Sequence, residues 1–497
     1  MLPFADWLEA HATRTPEQRA LIFEDTVYTY AALAARSARL AAWLQNERGL
    51  LPGARLAWLG FNTPDLVALL FACARVGVVL LPLNWRLSDQ ELAAIVADAG
   101  VVLAVVDGSC SERATALAGV PQVAARQQRH GVTQLPEDQA AGESVTSFAG
   151  PERGVLLVYT SGTTGRAKGV LLSQDALRYN ARNAQHMHDM TSADRVLTVL
   201  PMFHVGGLNI QTLPALACGA TVILEARFDA ARTIALINRE RPTLTVQVPA
   251  TLTAMLAHRH WASTDLSCLR ACATGSTDVP LPLIAALHGR QVPVIQIYGA
   301  TETGPVAIYQ RIAHAYSHAG SIGRVGLHTE VRLIDEAGHE VADGMPGEIM
   351  VRGPHLAQGY WDSSAQVATP FPDGWFASGD IAVRDEEGFY WFKDRRKHVI
   401  ISGGENIYPA ELERVLAGSA LLREAAVAGR VDAHWGEVPV VVAVRVRAET
   451  RQEDVLALFD GQVARFKQPK DVVFVDALPR NAMGKVEVQR LRELVRD

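Results

Sequence analysis

The chain has very little cysteine: five in 497 residues, Cys73, Cys110, Cys218, Cys268 and Cys272. An odd set without CxxC spacing excludes a disulfide scaffold and gives no zinc pattern, and it fits a reduced cytosol. Long apolar runs are missing as well. The greasiest stretch, Val67 to Leu81, is interrupted by Arg75 and Gly77 and falls short of the roughly 20 residues that span a bilayer. The first residues carry Asp6 and Glu9 where an export signal needs a basic start, so a cytoplasmic location without a transmembrane segment is expected. Excess positive charge is the third absence: 47 Lys and Arg against 53 Asp and Glu leave a net charge of −6. No nucleic-acid partner is expected from such a field. With 49% apolar residues and no low-complexity tract or repeat, disorder is excluded too. The length provides for several packed layers.

What is present is alternation. YTYAALAARSARLAAWLQNE reads as an amphipathic helix, ARLAWLG as a strand, TPDLVALLFACARVG as a helix, VVLLPL as a strand, SDQELAAIVADAG as a helix and VVLAVVD as a strand. Such alternation predicts parallel strands joined by crossover helices. Residues 111–150 are polar and turn-rich and read as a surface loop. After residue 175 the α/β pattern resumes with DRVLTVLP, ATVILE, ARTIALINRERP, TLTVQVP and PVIQIYG, so two similar α/β layers are expected before residue 320. From about Ser321 the runs TEVRLIDEAGHEV, GEIMVRG and GFYWFKD predict a small antiparallel sheet or barrel. A charged segment, Lys393 to Lys397, then precedes a compact α+β pattern. The fold class expected is α/β: a large domain, 1–393, with two α/β subdomains and a β-barrel-like one, and a mobile α+β domain, 394–497.

The most informative stretch is VLLVYTSGTTGRAKGVLL, residues 155–172. It places Gly162, Gly165 and Gly169, the hydroxyls of Tyr159, Thr160, Ser161, Thr163 and Thr164, and Lys168 between two runs of strand character. Glycines let backbone N–H groups approach an anion, hydroxyls donate to its oxygens, and lysine adds a point charge. That combination suits a triphosphate. The spacing is not that of a Walker A loop, and VLLS reads as a strand, not a helix start. Elsewhere, the strand PVIQIYG ends in Tyr298-Gly299-Ala300-Thr301-Glu302, an aromatic ring, a hydroxyl and a carboxylate at the C-terminal edge where open α/β sheets hold ligands.

YTSGTTGRAKGV resembles the phosphate loop of the adenylate-forming enzymes, the superfamily of acyl-CoA synthetases, luciferases and nonribosomal adenylation domains. Further blocks follow in that family's order over the whole chain: PMFHVGGL at 201–208, YGATETG at 298–304, GWFASGD at 374–380, DRRKHVIISGGENIYPAELE at 394–413 and PRNAMGKV at 479–486. The resemblance implies ATP binding by Thr160, Ser161, Gly162, Thr163, Thr164, Gly165, Lys168, Gly275, Ser276, Tyr298, Gly299 and Thr301. It makes Glu302 the Mg²⁺ ligand, apt for an ion that takes a carboxylate with phosphate oxygens, and sets Asp380 and Arg395 at the ribose. Lys485 becomes the lysine that enters for adenylation, where its charge offsets the repulsion between carboxylate and α-phosphate. Catalysis then rests on Lys485, Thr301, Glu302 and His204. The acyl group is expected among His204, Val205, Gly206, Thr274, Gly275, Gly299 and Gly304, coenzyme A against Gly403, Gly404 and Trp435, and the hinge at Lys397.

The implied reaction is activation of a carboxylic acid by ATP to acyl-AMP and pyrophosphate, followed by thioester formation with coenzyme A. An aryl or fatty monocarboxylic acid is expected, because the acyl segments offer no Arg or Lys for a second carboxylate. Thr274-Gly275-Ser276-Thr277 stands where many relatives show Gly-Gly-Ala-Pro, so specificity does not transfer from any one of them. Two alternatives remain open: a free-standing enzyme loading a carrier protein, although an enzyme of that kind is expected to be fused to its carrier and 497 − 485 = 12 residues follow Lys485, and a non-catalytic ATP-binding regulator. The sequence also leaves a homodimer open.

Overall fold

The computed structural model describes residues 2–125, 133–136, 145–160, 167–276, 279–365, 367–402, 405–432, 435–481 and 484–496. Among them are two nine-stranded mixed sheets, a four-stranded antiparallel sheet and a five-stranded sheet near the C-terminus. The fold is α/β with large sheets in the N-terminal part and a small C-terminal domain.

The first large sheet is parallel through Gly154–Thr160, Val79–Leu83, Arg55–Leu59, Val101–Val106 and Gln122–Ala125, with Lys168–Ser173 antiparallel beside Gly154–Thr160. The crossover helix Pro64–Val76 shows why the order holds. Thr63 Oγ1 accepts from Leu66 N and caps it, proline takes the first turn, and Gly77 stops it at φ 73°. Every residue of that helix except Arg75 is buried, so it lies between layers. The helix Asp89–Ala99 opens with Ser88 and Glu91 capping each other's backbone N–H groups.

The second large sheet is parallel through Val294–Tyr298, Ala271–Gly275, Leu244–Gln247, Arg195–Thr198, Thr221–Leu224 and Arg19–Phe23. Its last strands, Arg19–Phe23 and Thr26–Thr29, form a hairpin from the start of the chain. Buried Asn62 joins the two sheets: its amide donates to the carbonyls of Leu200 and Glu225, and its oxygen accepts from Met202 N.

Two departures from the sequence reading stand out. Residues 111–150 are more than a surface loop. Gln122–Ala125 and Thr133–Gln134 extend the edge of the first sheet, and Leu117 and Leu135 are buried. Short strands of mixed polarity at an edge lack the alternation that announces a strand. In addition, Gly359–Asp362 and Val367–Thr369, which follow the start of the antiparallel region, return to the first sheet beside Lys168–Ser173. The four-stranded sheet therefore holds only Glu330–Ile334, Pro346–Arg352, Phe376–Arg384 and Tyr390–Arg395. Its last strand runs past residue 393 to Arg395, the register partner of Asp380.

Candidate active site

The parallel strands Ala271–Gly275 and Val294–Tyr298 end side by side, and their turns approach too closely for side chains. A Cβ on Gly275 would lie 2.4 Å from the Ile297 carbonyl oxygen, and one on Gly299 would lie 1.8 Å from that of Pro305. Ser276 follows at φ 73°. Thr303 Oγ1 accepts from Ala300 N, fixing the turn that carries Thr301 and Glu302. Behind it the helix Gln174–His188 sends out two buried asparagines. Asn180 Oδ1 accepts from Val306 N and Asn183 Nδ2 donates to Val306 O. From the segment after His204, Asn209 Nδ2 donates to Gly304 O. The predicted nucleotide turn and the predicted acyl segment are thus bonded together.

Tyr298 does more than present a ring. Its hydroxyl donates to Asp380 Oδ2 at 2.8 Å, while Arg395 Nε lies 3.3 Å from Asp380 Oδ1. Burial raises the Asp380 pKa, and Arg395 and the tyrosine hydroxyl oppose that rise. A partly desolvated carboxylate whose oxygens are already oriented is suited to accept from a ligand's paired hydroxyls.

Lys485, in the C-terminal domain, feels the charges of Arg395 and Asp380. Its side chain keeps contact with solvent, yet desolvation of the ammonium lowers its pKa, with Arg395 adding to the shift and Asp380 opposing it. Its backbone is set by a turn, with Asn481 N donating to Lys485 O and Asn481 Oδ1 accepting from Lys485 N. Lys397, in the short turn Arg396–His398, is lowered in the same way, by desolvation first and then Arg395.

His204 caps the segment that contains Gly206. Its pKa is pushed down to about 3 by burial first, then by the charges of Lys485 and Arg86, so the imidazole is neutral near pH 7 and its Nε2 has no partner among the described residues. A Cβ on Gly206 would meet nothing within 4 Å, which leaves room on that face. Phe203 packs against His204 at 4.4 Å and Trp85 against Phe203 at 6.1 Å.

Glu302 accepts a hydrogen bond from Tyr360 Oη at 2.9 Å. The ammonium of Lys168 lies 5.1 Å from the centre of the same ring. Among the described residues no cation pairs with Glu302. Nor do three His, Cys, Asp or Glu side chains converge into a metal-holding group among them. A single carboxylate sharing Mg²⁺ with phosphate oxygens is what these residues fit.

The structure therefore brings together Lys485, Asp380, Arg395, Tyr298 and His204 through contacts or electrostatic coupling, and Lys168 with Glu302 through Tyr360. Thr160 ends its strand with its hydroxyl on Lys168 O at 3.4 Å. Thr274 is fully buried, its hydroxyl without a partner among the described residues. Val205 is buried. Trp435 is half exposed in the turn before the strand Gly436–Arg445. Ser161, Gly162, Thr163, Thr164 and Gly165 lie outside the described residues, as do Thr277, Gly403 and Gly404. The Tyr159 hydroxyl, counted in sequence with the phosphate-binding set, is used elsewhere: it donates to Asp98 at 2.6 Å. Sequence reading missed Tyr360, because a contact across 58 positions leaves no trace in spacing. It also missed Arg86, whose charge reaches His204 from the loop after Val79–Leu83.

Residues 8–361 match the AMP-binding enzyme family, and residues 411–485 match the AMP-binding enzyme C-terminal domain. The chain belongs to the AMP-binding enzymes. It is of the adenylate-forming, acyl-CoA synthetase type. Among similar proteins, indoleacetate–CoA ligase of Aromatoleum aromaticum is 45% identical over 502 aligned residues, covering 99% of this chain and 98% of the relative. A feruloyl-CoA synthase of a Streptomyces species is 39% identical, covering 97% and 98%. The structure of o-succinylbenzoate CoA synthetase from Bacillus subtilis with its acyl-adenylate superposes with a TM-score of 0.87 at 31% identity, covering 99% and 98%. Motifs, fold and relatives together support ATP-dependent acid–CoA ligation with an aryl or fatty acid. No described helix is long and apolar enough to cross a membrane.

Proposed function

We infer that this AMP-binding enzyme activates an aryl-substituted monocarboxylic acid as its adenylate and passes the acyl group to coenzyme A. One observation carries the reading: Tyr298 donates to Asp380 at 2.8 Å and Arg395 Nε lies 3.3 Å from the same carboxylate, a site shaped for paired ribose hydroxyls beside which Lys485 would place its charge at the attack. A cation is needed there, because a carboxylate oxygen attacking the α-phosphate brings two anions together. The first step forms the acyl–phosphate bond and breaks the bond to pyrophosphate. In the second, the thiol of coenzyme A attacks the acyl carbon and AMP leaves.

Each residue has a distinct task. Asp380, with Arg395, holds the ribose hydroxyls, and Tyr298 borders the base. Thr301 donates to a phosphate oxygen, and Lys168 with the hydroxyls of residues 160–164 takes the outer phosphates. Glu302 would hold Mg²⁺, which supplies charge neutralisation at the phosphates. Neutral His204 closes the acyl side without adding charge beside the carboxylate. Gly206 leaves space for a ring, and the aromatic cluster Phe61, Trp85 and Phe203 lines the approach to His204. Two relatives named for indoleacetate and ferulate support an aryl acid.

Lys397 serves as the hinge between a domain ending near residue 395 and the mobile C-terminal domain. Rotation there withdraws Lys485 and brings Gly403 and Gly404 to the thiol channel, with Trp435 as a surface for the nucleotide of coenzyme A. The test is a panel of indoleacetic, ferulic, benzoic, short-chain and long-chain acids with ATP, Mg²⁺ and coenzyme A, following AMP and thioester. Aryl acids are expected to give the highest kcat/KM. Preference for a long-chain acid would overturn the aryl assignment, and pyrophosphate release with acyl-AMP formed but no thioester to coenzyme A would favour a carrier-loading enzyme.

A further inference from the structure

Lys168 and Glu302 carry opposite charges and touch the same side chain, yet they do not pair with each other within 4 Å. Tyr360 stands between them. Its hydroxyl donates to Glu302 Oε1 at 2.9 Å, and the Lys168 ammonium lies 5.1 Å from its ring centre, within the range of a cation–π contact. A lysine and a glutamate left to meet directly would form an ion pair, which would neutralise the one cation of the phosphate strand and occupy the carboxylate.

The backbone holds the tyrosine at this junction from both sides. Tyr360 is the register partner of Val170 in the strand Lys168–Ser173, and Gln358 N donates to Leu171 O. One residue earlier, Ala357 N donates to Glu302 O at 2.8 Å. Gly359 makes the crossing possible: it sits at φ 134°, and a Cβ there would lie 1.7 Å from the Thr369 carbonyl oxygen. Phe371 packs edge-on against the Tyr360 ring at 5.7 Å and limits its rotation. Four consecutive residues, Ala357 to Tyr360, thus bond to the Glu302 turn and to the strand that begins with Lys168.

We propose that Tyr360 is a positioning residue for nucleotide and metal: its hydroxyl orients the Glu302 carboxylate, and its ring face holds Lys168 apart from that carboxylate. The hydroxyl occupies Oε1 and leaves Oε2 for a cation. The inference rests on reading Glu302 and Lys168 as the metal and phosphate groups.

The test separates hydroxyl from ring. Mn²⁺ binding in the presence of ATP is followed by electron paramagnetic resonance, and ATP affinity is measured by calorimetry across Mg²⁺ concentrations. Tyr360→Phe keeps the ring and is expected to raise the Mn²⁺ dissociation constant about tenfold, the effect of losing one hydrogen bond to a charged group, with ATP affinity recovering at high Mg²⁺. Tyr360→Leu removes the ring as well and is expected to weaken ATP binding even at saturating metal. Tyr360→His, an aromatic donor, is expected to restore part of the Mn²⁺ affinity, and it replaces Tyr360→Phe in the comparison with Tyr360→Leu should Tyr360→Phe lose its melting transition. In a Glu302→Gln background the Tyr360→Phe effect on metal should vanish. Unchanged Mn²⁺ affinity in Tyr360→Phe, or an equal effect with and without the Glu302 carboxylate, overturns the proposal. If Glu302→Gln and Lys168→Ala themselves leave metal and ATP binding untouched, the reading of the site fails, a distinct result.

Discussion

Asp380 and Arg395 are register partners across two antiparallel strands, with Arg395 Nε 3.3 Å from Asp380 Oδ1. Arg395 is also among the last residues before the turn that holds Lys397. The pair therefore marks the end of the large domain's sheet and the start of the segment proposed to rotate. Arg395, the ion partner of Asp380, adjoins that segment directly.

The first prediction concerns Lys485. Lys485→Ala is expected to lower acyl-AMP formation by about 10²–10³-fold, the scale of removing one preorganised charge at a transition state. Thioester formation from supplied acyl-AMP should change little. Pyrophosphate exchange and single-turnover thioester assays read the two halves, and equal loss of both counts against the assignment.

Acidity gives a second test of the same lysine. Its pKa is depressed below the ordinary lysine value, so protonated Lys485 is present below that shifted pKa and lost as pH rises through it. Adenylation should therefore fall on the alkaline side. In Lys485→Arg, where the cation does not titrate, the alkaline limb of the remaining activity should move upward.

Lys397→Pro tests rotation. Proline fixes φ near −65° and restricts Arg396 too. A folded variant held in the arrangement that brings Lys485 to Asp380 should still form acyl-AMP while thioester production collapses. Wild-type rates in both steps would place the hinge elsewhere.

Buried histidines set an acid limit on stability. His188 and His355 are both held near pKa 4, chiefly by burial, against about 6.5 when unfolded. The unfolded chain then binds more protons between those values. The contribution of these two groups to stability should be flat above pH 7 and decline as pH falls from about 6.5 towards 4, by roughly 3 kcal/mol for each histidine. Urea midpoints measured across that window check the slope.

Gly299→Ala should disrupt the turn, because the new Cβ would lie 1.8 Å from the Pro305 carbonyl oxygen. A loss of more than about 3 kcal/mol in stability, or a folded protein with a sharply raised KM for the acid, is the expected outcome; full activity with an unchanged melting temperature is not.

The alternation of helices and strands was legible because amphipathic and β-branched runs follow from local periodicity. Helix ends such as Thr63 to Gly77 and Ser88 to Gly100 carry their own caps. The site blocks were legible because glycine, hydroxyl and charge are dense in short segments. What escaped depends on distance along the chain: Tyr360 meeting Glu302, Arg86 reaching His204, and the return of residues 359–369 to the first sheet. Tyr159 misled for the opposite reason, since its neighbours in sequence are not its partners in space.

That returning strand also governs how the protein can be recombined. Lys168–Ser173 has Gly154–Thr160 on one side and Gly359–Asp362 on the other. A chimera with one breakpoint anywhere from residue 174 to 358 would join a phosphate strand from one parent to a flanking strand from another. Exchanges intended to alter the acid while preserving nucleotide binding should therefore transplant a cassette that starts at His204 and stops before the strand Ala271–Gly275, leaving 154–173, 271–306 and 357–395 from a single parent.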